Sequence, residues 1–263
     1  MHIVGFILIV VGISLFFVQR HQKQRAFSLK SARPATVADL QQMAGAIAAE
    51  IGGGSWRDYV KVVGHISCDR PLVSELKQEV CVHYKMTVTR EYEETVTSRD
   101  KDGKTTRSTR RSSETVSSNQ QSVPFWLEDA TGRIEVNPQG AAIETIKVLD
   151  EFRQGEQAGN RLTFGQFSVT LSAGGSGRRT LGYRYKEQIL PLGRRALVLA
   201  TVSDGVGSLV LQKPLDSSKS YLISLKTDEE LTQSAEKTAQ AVFYGMVGCI
   251  ILGVVLVLVG LVT

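Results

Sequence analysis

Two stretches of this 263-residue chain carry no charge at all. Residues 1–18 (MHIVGFILIVVGISLFFV) and 239–263 (AQAVFYGMVGCIILGVVLVLVGLVT) contain no Lys, Arg, Asp or Glu. Transporters and proton pumps mark their paths with ionisable residues inside the membrane, so that absence removes both roles from these segments. Cysteine is also scarce. Only Cys68, Cys81 and Cys249 occur, beside four histidines. A disulfide framework of several bridges is excluded, and so is a zinc module built on recurring C-x-x-C pairs. There is no G-x-S-x-G elbow for a serine nucleophile. The glycine-rich run 173–179 (AGGSGRR) lacks the Lys-Ser/Thr of a phosphate loop and lies between strand patterns, so a β-turn is expected there. Carboxylates such as Asp69, Asp129 and Glu187 show no spacing that argues for paired acid-base work. His65 and His83 each fall in a strand near Cys68 and Cys81, without the close pairing that structural zinc sites use. No catalytic residue, metal site or cofactor is expected.

What is present begins with those two apolar ends. A hydrocarbon core of about 30 Å needs roughly 20 apolar residues. The second stretch meets that length; the first reaches it with local thinning or an interfacial Gln19. Both are expected to be transmembrane helices, one at each terminus. The basic flank Arg20, Lys23, Arg25, Lys30 and Arg33 argues for an uncleaved anchor with the following domain on the cytoplasmic side. The expected location is a bacterial inner membrane. A periplasmic or intermembrane-space domain is the alternative, because long loops translocate largely regardless of charge. Gly245, Gly248, Gly253 and Gly260 give the second span small residues that can pack on Gly5 and Gly12, or on another copy in a homo-oligomer. Cys249 lies among them as a packing residue. Cys68 and Cys81 can pair in an oxidising compartment; free, buried thiols are the favoured reading.

Between the ends, aromatic content of 7% and charged content of 22% mark a globular segment. A basic linker is expected over 20–35. Thr36 caps a helix over 36–52, with Val37, Leu40, Ala44, Ile47 and Ile51 at helical spacing and glycines at its end. From Tyr59 the period changes to two, as in strands. Strand patterns cover 59–66, 80–97, 123–129, 133–136, 162–172, 178–190, 194–202, 208–212 and 220–225. Residues 140–157 are ambiguous between a short helix and irregular structure. Asp102-Gly103 signals a tight hairpin turn that would set Glu94 opposite Arg111. The region 90–121 is expected as a projecting hairpin or flexible loop outside the core. A second hairpin turns at Ala130-Thr131, with Asp129 bonding the turn and Gly132 in a left-handed conformation. Thr227 with Glu230 forms a capping box opening a juxtamembrane helix over 227–238. The fold class is mainly β: an OB-like barrel with insertions and a projecting β-ribbon over 56–226, plus flanking helices.

The ribbon carries Arg99, Lys101, Lys104, Arg107, Arg110 and Arg111. With Asp69 and Arg70, these are the candidate interaction surface. A single-strand nucleic-acid binder would add stacking aromatics to such a basic surface. Tyr92 alone lies near it, so a protein or peptide partner is the stronger reading, beside the membrane itself.

Three blocks, DYVKVVGHISCDRPLVSELKQEVCVHYKMTVTREYE, VPFWLEDATGRIEVNPQGA and TLGYRYKEQILPLGRRALVLATV, resemble in order the GIDE, or beside-a-membrane, domain of mitochondrial and chloroplast-envelope RING-type E3 ubiquitin ligases. The matching positions include Gly64, Leu72, Ser74, Cys81, Tyr84, Asp129, Gly132, Gly182, Tyr183 and Glu187, which are read as structural. The resemblance implies two spans around a domain that binds partners beside the bilayer. In the organelle ligases a catalytic RING follows the second span. A RING needs about eight Cys/His ligands, and three cysteines cannot supply two such sites. The expected function is a doubly anchored, non-catalytic interaction or sensor protein. A ligase-like component acting in trans is the second reading, and an OB-type nucleic-acid binder the third.

Overall fold

A computed structural model describes residues 2–99, 105–155, 161–170, 178–205 and 208–262. The chain divides into two compact units. The first joins Met1–His65, Trp126–Ala142 and Arg195–Thr263; the second joins Ile66–Phe125 and Ile143–Arg194. In chain order the elements are α1 (His2–Ser31), β1 (Arg33–Pro34), α2 (Val37–Ile51), β2 (Arg57–Ser67), β3 (Leu72–Val73), β4 (Val80–Arg99), β5 (Thr105–Ser122), β6 (Phe125–Asp129), β7 (Gly132–Val136), β8 (Ala142–Ile143), β9 (Ile146–Gln154), β10 (Arg161–Phe164), β11 (Phe167–Thr170), β12 (Arg178–Pro191), β13 (Arg195–Ser203), β14 (Val210–Gln212), β15 (Leu222–Ser224) and α3 (Asp228–Val262).

The first unit is built on a closed five-stranded barrel. Its strands follow the order β2-β6-β7-β14-β13 and return to β2. β13 runs antiparallel to β2, while β14 runs parallel to β7. Alternation decides the two faces. On β2, Val60 and Val62 turn inward; on β13, Val198 and Ala200 face them across the ladder, and all four are buried. The opposite face of the same two strands, Tyr59, Leu197 and Leu199, forms a second cluster with Leu29 of α1 and Leu231 of α3. β13 is therefore buried on both sides, which explains its unbroken apolar run ALVLA. Gly64 on β2 marks a close backbone approach. A Cβ there would stand 2.6 Å from the Glu128 carbonyl oxygen.

α2 begins at Thr36, whose hydroxyl accepts from Asp39 N–H while Asp39 accepts from Thr36 N–H. It ends at Gly52, at φ 83°, a left-handed value that glycine adopts at no steric cost. The capping box at the start of α3 is present too. Glu230 N–H donates to the Thr227 hydroxyl, and Thr227 N–H to the Glu230 carboxylate.

The second unit comes from the two long excursions of the chain, between β2 and β6 and between β8 and β13. Its five-stranded sheet runs β3-β4-β12-β9, with β5 added to β4. Tyr84, Met86 and Val88 of β4 pack with Tyr183, Tyr185 and Ile189 of β12, under Leu162 and Phe164 of the β10–β11 hairpin.

Several expectations change. The basic segment after the first apolar run is no linker: α1 continues as helix through Ser31, because nothing between Gln19 and Lys30 breaks helical propensity. α3 is one continuous helix over Asp228–Val262, running from the juxtamembrane segment into the second apolar stretch as the capping box implies. Among the described residues only α3 is long and apolar enough to cross a membrane. The apolar run of α1 ends at Val18, and 17 residues from His2 span only about 26 Å. The region expected as a short helix or irregular structure holds strands β8 (Ala142–Ile143) and β9 (Ile146–Gln154).

The ribbon is two paired strands, yet its register differs by one from the hairpin count. Glu93, not Glu94, faces Arg111, because five residues separate Arg99 from its partner Thr105. A one-residue slip moves every side chain to the other face. Lys101, Lys104 and the Asp102-Gly103 turn lie outside the described residues, as does most of the glycine-rich run 173–179. Gly132 is near-extended at φ 159°, not left-handed. Its lack of a side chain matters instead because a Cβ would stand 3.2 Å from Val37.

Candidate functional site

The residues singled out in the sequence fall into three places. The first is a buried polar cluster at the base of the five-stranded sheet. Leu72 of β3 pairs with Cys81 of β4, and the chain then turns through 74–79 before entering β4. Glu187 of β12 reaches into that turn. Its carboxylate accepts from the Ser74 hydroxyl at 2.9 Å and from the N–H groups of Leu76 and Lys77 at 2.8 Å each. Ser74 and Glu187 are both fully buried, at 0% exposure. A buried carboxylate without partners would be very costly. Three donors satisfy this one. Gln78 sits at φ 60°, an uncommon value for a residue other than glycine, and its side-chain amide donates to the Ser74 and Glu75 carbonyls. Tyr84 donates to Glu75 at 3.1 Å, and Asn119 of β5 donates to both.

Burial pushes the Cys81 thiol up to about 11, with the Glu187 charge adding to the effect. The thiol stays protonated at neutral pH and is a poor nucleophile. Burial likewise holds His83 below its usual value, and the ring bonds the Ser122 hydroxyl at 2.7 Å. His65 is exposed on β2. Cys68 is a free thiol directed at the Pro124 carbonyl, 3.5 Å away, and Cys81 is also free. Among the described residues no three His, Cys, Asp or Glu side chains gather as a metal site. The cluster is chemically quiet: it folds the 74–79 turn onto β4 and β12.

The second place is the β6–β7 hairpin. Asp129 accepts from Thr131 N–H at 2.7 Å and Gly132 N–H at 3.0 Å through one oxygen. Its other oxygen accepts from Val37 N–H at 2.9 Å, at the start of α2. These hydrogen bonds hold its carboxyl below the usual carboxylate range against the opposing effect of burial. One side chain thus shapes a turn and caps a helix 92 residues away. A cleft of about 430 Å³ nearby is lined in part by Thr36, Lys61, Asp129 and Asp228. Another of about 550 Å³ lies beside Ala44, Ala48 and Asp204. Among the described residues, neither lining contains a cysteine or histidine.

The third place is the ribbon. Some of its cations are paired. Arg111 bonds Glu93 at 3.2 Å, Arg90 bonds Glu114 at 3.1 Å, and Arg178 of β12 lies 3.4 Å from both Glu94 and Glu114. Exposed pairs of this kind contribute about 0–1 kcal/mol each, so they set shape and charge pattern more than stability. Tyr92 is only 6% exposed, and Arg90 and Arg178 lie over its ring at 5.5 and 4.7 Å. It is unavailable as a stacking platform for bases. Arg99, Arg107 and Arg110 lie exposed along the strands, and Asp69 and Arg70 are exposed in the turn between β2 and β3.

Gly182 sits at a bulge in β12, where a Cβ would stand 2.3 Å from the Arg153 carbonyl oxygen. Tyr183 beside it is 6% exposed in the sheet's core. Sequence reasoning missed Glu75, Gln78 and Asn119 as members of the buried cluster. Asn119 lies 44 residues from Glu75, and no short-range pattern signals that contact.

In the first unit, α1 and α3 run antiparallel against each other. Gly12 stands against Ile250, Gly245 against Leu15, and Lys30 bonds Glu236 at 2.6 Å. Lys61 of β2 pairs with Asp228 at the start of α3. Gly12 and Gly245 thus lie at the contact between the two helices, while Gly248 faces open space.

Comparison with known proteins places these features. No solved structure matches the chain. Over 140 residues it is 29% identical to E3 ubiquitin-protein ligase SPL1 of Arabidopsis thaliana, covering 51% of this chain and 38% of that protein. The chain thus spans well under half the length of this curated relative. The profile of the GIDE family, described as E3 Ubiquitin ligase, matches residues 93–259. That match takes in most of the ribbon, Glu187, β13 and most of α3, and begins after the 74–79 turn; the chain belongs to the GIDE family.

Proposed function

We propose that this chain is a doubly anchored membrane protein whose β domain binds a protein or peptide beside the bilayer. The observation that carries the reading is the helix pair. α1 and α3 meet antiparallel at Gly12 and Ile250, and their other ends, Leu29 and Leu231, share one core cluster with the barrel. If α3 crosses the bilayer, α1 lies against it at the same depth. The barrel order, with strands one and four adjacent and strands three and five parallel, supports an OB-type barrel, a scaffold that serves binding in many settings. The exposed face of the ribbon around Arg107, and the turn at Asp69 and Arg70, are the proposed contact surfaces.

Ubiquitin transfer belongs to the named relative, and the proposal for this chain differs. Its 263 residues hold three cysteines and four histidines, fewer than the roughly eight ligands of two tetrahedral zinc sites. These 263 residues therefore do not themselves hold the two zinc sites of a RING.

Photo-crosslinking side chains at Arg70 and Arg107, activated in intact membranes, test the binding role. The expected result is a discrete adduct with a different protein that weakens on Arg107→Glu. No adduct from either site overturns the reading. Ubiquitin chains made by the purified 263 residues with E1 and E2 alone would replace it with a catalytic one.

A further inference from the structure

β5 is an unusual edge strand. Among the described residues it pairs with β4 alone, so its outer edge offers a row of backbone donors and acceptors. The ladder to β4 is regular from Thr105 to Thr115; a bulge then leaves Val116 unpaired. No proline occurs between Thr105 and Ser122, and the strand is rich in serine and threonine. Edges are ordinarily guarded by shortness, proline, bulges, charge or a covering element. Over 105–115 only charge is present, and its arrangement is informative.

Suppose the edge pairs antiparallel with the same edge of a second copy. Facing residues in a ladder share a face of the sheet. A two-fold axis through the sheet therefore requires one residue to face its own counterpart. The charged residues of β5 are Arg107, Arg110, Arg111 and Glu114. Centres at Arg107, Arg110, Arg111 and Glu114 set like charges directly against each other. A centre at Thr109 sets Arg107 against Arg111. Centres at Ser108 and Ser113 pair no charges at all. A centre at Ser112 alone sets opposite charges face to face, Arg110 against Glu114 of the second copy, and does so twice. Directly opposed charges favour or disfavour a pairing by about 0.2–1 kcal/mol per pair.

We propose that β5 pairs antiparallel with β5 of a second copy, centred on Ser112, joining two sheets into one. The paired window is Thr109–Thr115, which ends where the bulge begins. Arg111, the remaining cation in that window, is already held by Glu93 of its own chain at 3.2 Å. Glu114 carries Arg90 and Arg178 on its own sheet, so the incoming Arg110 extends a network that also contains Glu94. Strand addition at an edge draws its affinity from main-chain hydrogen bonds and its register from side chains. The edge is distinct from the exposed ribbon face that carries Arg107.

The test is cysteine scanning along β5 of the full chain in membranes, with Cys68 and Cys249 replaced by alanine. Under mild oxidation, Ser112→Cys is expected to give the strongest disulfide-linked dimer. Ser108→Cys and Val116→Cys are expected to give none, because each lies about 26 Å from its own counterpart in this register. Arg110→Glu or Glu114→Arg alone should lower the Ser112→Cys dimer several-fold, and the two together should restore it. Because Ser112 is partly covered, light scattering of the detergent-solubilised wild type against Arg110→Glu provides a second readout. A scan that is flat or peaks elsewhere on β5, or a double reversal that fails to restore the dimer, overturns the proposal.

Discussion

Glu187→Gln isolates the energetics of the buried cluster. Glutamate accepts three hydrogen bonds there, one oxygen taking Leu76 N–H and the other taking Ser74 and Lys77. Glutamine keeps only one oxygen. Turned toward Ser74 and Lys77, it presents an NH₂ group to Leu76 N–H, and one buried donor loses its partner at about 1–3 kcal/mol. The two surviving bonds lose their charge assistance, about 1 kcal/mol each. Removing a buried charge returns part of this sum, leaving a net loss of about 2–3 kcal/mol. At 1.4 kcal/mol per factor of ten, amide exchange across 74–79 should quicken about 30- to 140-fold. Hydrogen exchange read by mass spectrometry on the full chain measures this directly. Ser74→Ala, which leaves both backbone donors in place, should cost about 1 kcal/mol. Unchanged protection of 74–79 in Glu187→Gln would refute the claim that this carboxylate holds the turn.

Further outcomes follow from the same geometry. Gly182→Ala places a Cβ 2.3 Å from the Arg153 carbonyl, so β9 must shift; exchange in β9 should rise, with a stability loss of about 2 kcal/mol or more in denaturant titration. Asp129→Ala removes a helix cap and the turn's hydrogen bonds together, for about 1–2 kcal/mol, seen as faster exchange at the start of α2. His83 is held below its ordinary 6.5 by burial. The unfolded chain therefore binds a proton first, and stability should fall as pH drops below about 6.5 toward the folded value. His83→Gln should flatten that part of a pH series of unfolding midpoints.

The sequence was most legible where the determinants are local. The Thr36 cap, the Thr227 capping box and the hydrogen bonds of Asp129 to its own turn join residues within four positions of each other, and each is present, although Gly132 is not left-handed. The capping role of Asp129 at Val37 acts across 92 residues and has no local signature. The same is true of the Ser74–Glu187 bond, which spans 113 residues. Strand patterns identified most β elements, but the closed barrel depends on β13 meeting β2 after two long excursions. The ribbon register failed for another reason. A dipeptide turn signal alone does not set the pairing; the bulge at Val116 and the five-residue connection after Arg99 set it one residue away. The linker expected after the first apolar run followed a change in charge, although charge alone does not end a helix.

The central proposal is that α1 and α3 both cross the bilayer, which would put the chain's two ends on one side and the β domain on the other. Single cysteines at His2 and at the exposed Ser218, in a chain whose Cys68 and Cys249 are replaced by alanine, can be labelled with an impermeant maleimide in sealed vesicles of known orientation. A tag following Thr263 reports the other end. The account predicts that position 2 and the tag react from the same side and position 218 from the opposite side. Labelling of positions 2 and 218 from one side would show that α1 does not cross, and would contradict the doubly anchored arrangement.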